Sequence, residues 1–286
     1  MHLPKLLFPS FLFLIFVACN KDDEPTALLE ETIYEVSYGA DPLQKLDVYL
    51  PASRTLDTKL LIFVHGGNWN AGDKSDYSLV LSDLQHRGFA IANVNYRLAN
   101  SASGILYTEL ADDIRAAVDF LISKSNGFVY SPTSILIAGH SAGGHLALYT
   151  AYHNNSDNAI KAVFSLAGPT DVTNEYFLTN PELNGLVENL TGTTYLEDTA
   201  TWIEVSPVAH VTSESVPTLL QYCGLDFTVP SSQGEILNNV LNIAGVEHQY
   251  YFYPLYGHDM GTIYFGGHLP EDVKNDILNF VETYGN

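Results

Sequence analysis

Short apolar runs recur along this chain and alternate with stretches of helical spacing. Residues 60–64 (LLIFV) are wholly apolar, and residues 89–95, 134–138, 161–166 and 218–223 are similar. A strand covered on one face alternates apolar and polar side chains. A strand covered on both faces has no reason to. Between these runs, residues 109–124 place Leu110, Ile114, Val118, Leu121 and Ile122 on one helical stripe. Residues 142–152 read as a second helix and 271–283 as a closing one, with a strand at 247–253 before it. Strands alternating with helices need crossover connections, which predicts an α/β fold with a mostly parallel central sheet flanked by helices. Residues 32–38 and 45–50 do alternate, on either side of an Asp41-Pro42 turn signal, and predict an antiparallel edge. Residues 170–215 break the rhythm and carry Tyr176, Phe177, Tyr195 and Trp202, as a cap or lid insertion would. A length of 286 residues suits one such domain, placed at 32–286.

Three separated segments carry chemistry. The first is Gly139-His140-Ser141-Ala142-Gly143-Gly144, between a strand and a helix. A sharp strand-to-helix elbow holds its central residue in a strained backbone, and flanking glycines remove side chains that would collide there. Ser141 is therefore the candidate nucleophile. The second is His65-Gly66-Gly67-Asn68-Trp69, at the end of the 60–64 strand. Acyl transfer develops a negative oxygen that needs donors already in place. Gly66, Gly67, Asn68 and Ala142 form the candidate oxyanion hole, with the N–H groups of Gly67, Asn68 and Ala142 as its donors. His65 reads as a brace for the loop. The third segment is an acid and a base, each at a strand end: Asp226 in Gly224-Leu225-Asp226, and His258 in Gly257-His258-Asp259. The order Ser, Asp, His is that of α/β-hydrolases. His258 would take the Ser141 proton, and Asp226 would hold its tautomer. Asp171 is a rival acid, while Asp259 reads as structural. His140 and His145 read as packing or substrate-side neighbours.

Other chemistries lack their signatures. His140 and His145 stand five apart, poor spacing for two ligands on one helix, and no metal-binding, dinucleotide or phosphate-loop motif occurs. No metal and no cofactor are expected. The formal charge of −21 repels phosphate backbones, which argues against nucleic-acid partners. Hydrophobic residues at 46% are enough for a real core.

Residues 1–18 read as a signal peptide: Lys5 near the amino terminus, then an apolar run at 6–17 too short to span a bilayer. Ala18-Cys19 resembles a bacterial lipoprotein cleavage site, with Cys19 as the lipidated residue. Asn20-Lys21-Asp22-Asp23-Glu24 resembles the tag that routes some Gram-negative lipoproteins to the outer surface. Residues 19–31 would then be an acidic linker, and the protein an exported, outer-membrane lipoprotein touching membrane only through that anchor. The second cysteine, Cys223, lies in an apolar run and reads as a small buried hydrophobe.

HGGNW at 65–69, NYRL at 95–98 and GHSAGGHLA at 139–147 together resemble the esterase/lipase branch of α/β-hydrolases. The chain is similar to hormone-sensitive-lipase-like carboxylesterases and to bifunctional feruloyl/acetyl xylan esterases, and kynurenine formamidases share much of the pattern. SPVAHV at 206–211 and GLDFTVP at 224–230 also fit, so the likeness runs from about residue 36 to the end. Asn68 stands where the hormone-sensitive-lipase branch carries a third Gly, which favours the feruloyl-esterase and formamidase relatives. The resemblance implies a serine esterase acting on short acyl or aryl-acyl esters, such as those on plant polysaccharides. A formamidase-type amidase is the nearest rival. An inactive hydrolase fold binding surface glycans is the alternative from another class.

Overall fold

The computed structural model of the chain describes residues 27–284. The leader, Cys19 and most of the acidic linker lie outside the described residues. Eight strands form one sheet: β1 (Glu31–Ser37), β2 (Lys45–Leu50), β3 (Leu60–Val64), β4 (Ala90–Val94), β5 (Ile135–His140), β6 (Ile160–Leu166), β7 (Thr218–Cys223) and β8 (His248–Tyr253). Their order across the sheet is β1-β2-β4-β3-β5-β6-β7-β8. β2 runs antiparallel to both of its neighbours, and every pair from β4 to β8 is parallel. The expected antiparallel edge is thus one reversed strand, β2, with β1 again running in the direction of the rest.

Eight α-helices accompany the sheet in the described residues: α1 (Ser78–Gln85), α2 (Tyr107–Phe128), α3 (Ala142–His153), α4 (Glu175–Thr179), α5 (Pro181–Thr191), α6 (Thr199–Glu204), α7 (Ser232–Ala244) and α8 (Glu271–Tyr284). Strand side chains alternate between two cores. Leu60, Ile62 and Val64 join α2, α3 and α7 in one, and Leu61 and Phe63 join α1 and α8 in the other. This double coverage explains why the sequence of β3 is apolar throughout. The expected stripe on α2 is borne out, with Leu110, Ile114, Val118 and Leu121 fully buried.

Residues 170–215 fold as α4, α5 and α6 followed by a 3-10 turn at Pro207–His210. Three pieces this short leave little periodicity to read. They do not stand away from the sheet. Phe177, Leu183, Val187, Leu190, Trp202 and Val205 are buried in the same core as α3.

Strand order reverses between β3 and β5, since β4 lies on one side of β3 and β5 on the other. Such a switch opens a crevice at the carboxyl ends of the strands. Val64 pairs with Gly139, so the loop after β3 and the elbow after β5 leave the sheet side by side. Cys223 pairs with Tyr253, which sets the Asp226 and His258 loops beside each other in the same way.

An ion pair fastens the end of β4 to α2. Arg97, just past β4, grips both carboxylate oxygens of Asp113 on α2, with Nε to Oδ2 at 2.9 Å and a terminal nitrogen to Oδ1 at 2.7 Å. Asp113 is fully buried and also accepts from the Arg97 N–H and the Gln44 amide. Removing one partner of a buried pair strands the other charge. Arg97→Met is expected to lower the unfolding free energy by about 3 kcal/mol, measured by urea titration. A loss within experimental error of zero would show that Asp113 needs no cation.

Candidate active site

β5 ends at His140 and α3 begins at Ala142, so the whole change of direction falls on Ser141. Its backbone sits at φ 54° and ψ −126°. A non-glycine residue there is strained by about 1–3 kcal/mol and needs surroundings that hold it. They are present. The Ser141 N–H donates to Leu166 O at 2.8 Å, and its carbonyl accepts from the His145 N–H at 3.0 Å. Gly143 and Gly139 have no room for a side chain. A β-carbon on Gly143 would lie 2.1 Å from Val64 O, and one on Gly139 would lie 2.3 Å from the Gly143 backbone.

The expected acid and base meet this serine. His258 Nε2 lies 2.9 Å from Ser141 Oγ, and His258 Nδ1 lies 2.7 Å from Asp226 Oδ2. The carboxylate can only accept, so Nδ1 carries the proton and Nε2 presents its lone pair to the hydroxyl. Asp226 Oδ1 accepts the Thr228 and Val229 N–H groups, each at 2.8 Å, which aims Oδ2 at the imidazole. The Asp226 side chain is fully buried, while that of His258 keeps 25% exposure. Asp171 is occupied elsewhere: its Oδ1 accepts the Thr173 N–H and hydroxyl. Asp259 closes its own turn by accepting the Ile263 N–H at 2.6 Å.

The loop after β3 faces the serine from the other side. Gly67, Asn68 and Trp69 take φ of 122°, 55° and 63° in succession. Asn tolerates this region, but a bulky Trp does not without support. Trp69 is buried, its Nε1–H donates to His145 Nδ1 at 3.1 Å, and its carbonyl accepts from the Ala99 N–H at 2.9 Å. The N–H groups of Gly67, Asn68 and Ala142 have no acceptor among the described residues. Gly66 is the exception to the expected set. Its N–H donates to Tyr77 Oη at 3.2 Å, so it is not a free donor. Its part is steric, because a β-carbon there would lie 2.9 Å from His140 O and 3.2 Å from Ser141 Cβ. His65 braces the loop as expected, with Nδ1 on Gly66 O at 2.6 Å and its ring stacked on Tyr96.

Tyr77 was not legible as a site residue. It accepts from Gly66 N–H and lies 2.8 Å from His140 Nδ1, while His140 Nε2 lies 2.6 Å from His258 O. A carbonyl accepts only, so His140 Nε2 carries the proton and Nδ1 accepts from Tyr77. One directed chain then runs from the loop after β3 through Tyr77 and His140 to the backbone of His258. Burial pushes the His140 imidazole down to about 4, which keeps this chain neutral.

His145 links three parts. It lies fully buried on α3, accepts from Trp69 at Nδ1, and donates from Nε2 to Val205 O at 2.8 Å, just past α6. Burial depresses its pKa to about 4 from 6.5. A second proton would set two N–H groups against each other at Nδ1. On unfolding the ring regains its ordinary proton affinity. The unfolded chain therefore binds more protons between pH 6.5 and about 4, and stability falls as pH drops through that window. From pH 7 to pH 5 the expected loss from His145 is about 2 kcal/mol. Urea midpoints at the two pH values should show a smaller decline in His145→Gln. An identical decline would place the titration elsewhere.

A model of the BD-FAE family matches residues 46–241, from within β2 to within α7. Kynurenine formamidase of Salmo salar is 32% identical over 160 residues, covering 54% of this chain and 52% of that protein. A probable isoprenylcysteine alpha-carbonyl methylesterase of Oryza sativa subsp. japonica is 25% identical over 237 residues, covering 76% and 55%. The chain spans about half the length of these curated relatives. Among solved structures, a truncated carbohydrate esterase from gut microbiota superposes with a TM-score of 0.77 at 21% identity, over 88% of this chain and 95% of that one. At such identity the likeness concerns the fold, which is that of the α/β-hydrolases. The family match covers well over half of the sequence and includes the elbow, the β3 loop and Asp226: the chain belongs to the BD-FAE family.

Proposed function

We propose that the chain hydrolyses carboxylic esters through an acyl-enzyme formed on Ser141. The observation that carries this is the hydrogen-bonded series Ser141 Oγ, His258, Asp226, at 2.9 and 2.7 Å, with three nearby N–H groups that have no acceptor among the described residues. Ser141 Oγ attacks the ester carbonyl carbon as its proton passes to His258 Nε2. The carbonyl oxygen becomes an oxyanion, received by the N–H groups of Gly67, Asn68 and Ala142. Collapse expels the alcohol, which takes the proton back from His258. Water then repeats both steps on the acyl-serine and releases the acid. Asp226 accepts from His258 Nδ1 and stabilises the imidazolium. Esterase and formamidase relatives support acyl transfer at such a site.

The space beside Ser141 favours a short acyl group. A cavity of only about 10 Å³, bounded by Trp69, Pro169, Phe177, Leu183, Leu186 and Val229, adjoins Ser141 and Ala142. That is near the minimum that holds a single water. A cavity of about 240 Å³ lies behind His140, lined by Phe63, Tyr77, Val80 and Met260, and it does not adjoin Ser141. Acetyl esters, including those on polysaccharides, suit this arrangement, and the fold neighbour is titled a carbohydrate esterase. The same tight cavity gives the second reading its footing. Formyl is the smallest acyl group, so an N-formyl amide is the rival substrate.

Ser141→Ala is expected to reduce p-nitrophenyl acetate turnover at least 10³-fold, and equal rates in both proteins would refute the serine mechanism. Wild type should prefer p-nitrophenyl acetate to the butanoate by about tenfold or more. A panel of acetylated xylan, methyl ferulate and N-formylkynurenine separates the acyl and amide readings.

We also propose that the protein is exported and tethered by a lipid on Cys19, on the strength of the apolar run at 6–17 and the Ala18-Cys19 junction. Among the described residues no helix is long and apolar enough to cross a membrane. Cys19→Ala should move the protein from the membrane to the soluble fraction on fractionation of the cells. Retention in the membrane would discard the anchor.

A further inference from the structure

At the far end of α3 from Ser141, two imidazoles and a carboxylate converge. His153 closes α3, Glu204 closes α6, and His210 closes the 3-10 turn that follows. His153 Nδ1 and His210 Nδ1 are 3.2 Å apart. Glu204 Oε1 lies 3.7 Å from His153 Nδ1. One ligand atom from each of the three residues lies within 4.8 Å of the others.

The His210 tautomer suits coordination, whereas His153 Nδ1, which donates to His210 Nδ1, gives up its proton when the ion binds. His210 Nε2 lies 2.6 Å from the Glu204 carbonyl oxygen, which can only accept, so Nε2 carries the proton and Nδ1 holds a lone pair. A backbone carbonyl that accepts from the far ring nitrogen is the usual means of orienting a metal-bound histidine. Tyr149 holds both rings in place, stacked on His153 at 5.0 Å and edge-on to His210 at 5.2 Å. Two nitrogens bound to one tetrahedral Zn²⁺, at about 2.0–2.1 Å each, stand about 3.3 Å apart. The observed separation of 3.2 Å is close to that. Two nitrogens and one carboxylate oxygen favour a borderline ion such as Zn²⁺ over Mg²⁺ or Ca²⁺, which take oxygen ligands. A chain carrying a formal charge of −21 also draws in cations.

We propose that His153, His210 and Glu204 bind a Zn²⁺-class divalent cation, leaving its fourth position to solvent. The site lies about 18 Å along α3 from the elbow, at the rise of an α-helix, so the ion takes no part in chemistry at Ser141. Its effect is mechanical. It would tie the end of α6 and the following turn to the helix that begins at the candidate nucleophile. Local sequence spacing could not find it, because His153 and His210 are 57 residues apart and neither belongs to a metal-binding motif. The proposal is independent of the hydrolase reading.

Equilibrium dialysis of the untagged protein against Zn²⁺ at neutral pH tests it. One equivalent should bind at micromolar free Zn²⁺, and affinity should fall at least tenfold in His153→Gln and in Glu204→Gln. The His153 side chain is 39% exposed and that of Glu204 45%, so both variants should fold. Matching thermal melts in chelator would establish that they do. Co²⁺ in place of Zn²⁺ should give the visible absorption of a tetrahedral site in wild type alone. At a hundredfold excess over Kd, Zn²⁺ should raise the wild-type melting midpoint by about 5 °C. Zn²⁺ binding that is equal in wild type and both variants, or absent from wild type at submillimolar Zn²⁺, would overturn the proposal.

Discussion

Gly143 lies so close to the end of β3 that a β-carbon on it would collide with the Val64 carbonyl oxygen, at 2.1 Å. The rest of the site follows from that approach. With the first turn of α3 pressed against β3, the only residue free to change direction is Ser141, and it does so at positive φ. The same contact brings the Ala142 N–H and the loop of Gly67 and Asn68 to one side of the serine hydroxyl. The register of β3 with β5, Val64 against Gly139, fixes the contact in the sheet, where a slip would be costly. A helix start, a strand end and a strained serine thus form one rigid unit.

Around that unit the histidines divide by environment. His65, His140 and His145 are held neutral by burial, and each uses its two ring nitrogens or its ring face to fasten one segment to another. His258 alone of these four pairs with a carboxylate. Position in the sequence does not separate them, since His140 adjoins the serine and His258 is 117 residues away. Partner chemistry does: a neutral ring between a phenol and a carbonyl is a spacer, while a ring between a hydroxyl and a carboxylate can take and return a proton.

The strand ends and the reactive groups upon them were legible because both are local. An apolar run, a glycine turn and a functional side chain stand within ten residues of each other at Ser141 and at Asp226, and nearly so at His258. β2, β3 and β7 matched at both ends, and the other element edges differed by at most four residues, as hydrogen bonding rather than composition decides them. α5 carried readable signals, with Asn180 capping it, Pro181 in its first turn and Gly192 closing it. They were masked by the irregular stretches on either side. α7 likewise shows Gln233, Leu237 and Leu241 on one buried face. Tyr77 and the Trp69–His145 bond were not legible at all. Their partners lie 63 and 76 residues away, and nothing in a tyrosine or tryptophan announces which distant imidazole it will meet. The reversal of β2 without β1 was also invisible, because alternation reports which face is covered and not which way a strand runs.

The helices between β6 and β7 lean over Ser141, yet their apolar side chains belong to the main core. Phe177 and Leu183 serve at once as cavity wall and as packing, the first 1% and the second 9% exposed. Under the proposed function, selectivity and folding are therefore drawn from the same atoms. A lineage adapting this pocket to a bulkier group would have to hollow out part of its own interior, and would need compensating stability elsewhere before the change could be kept.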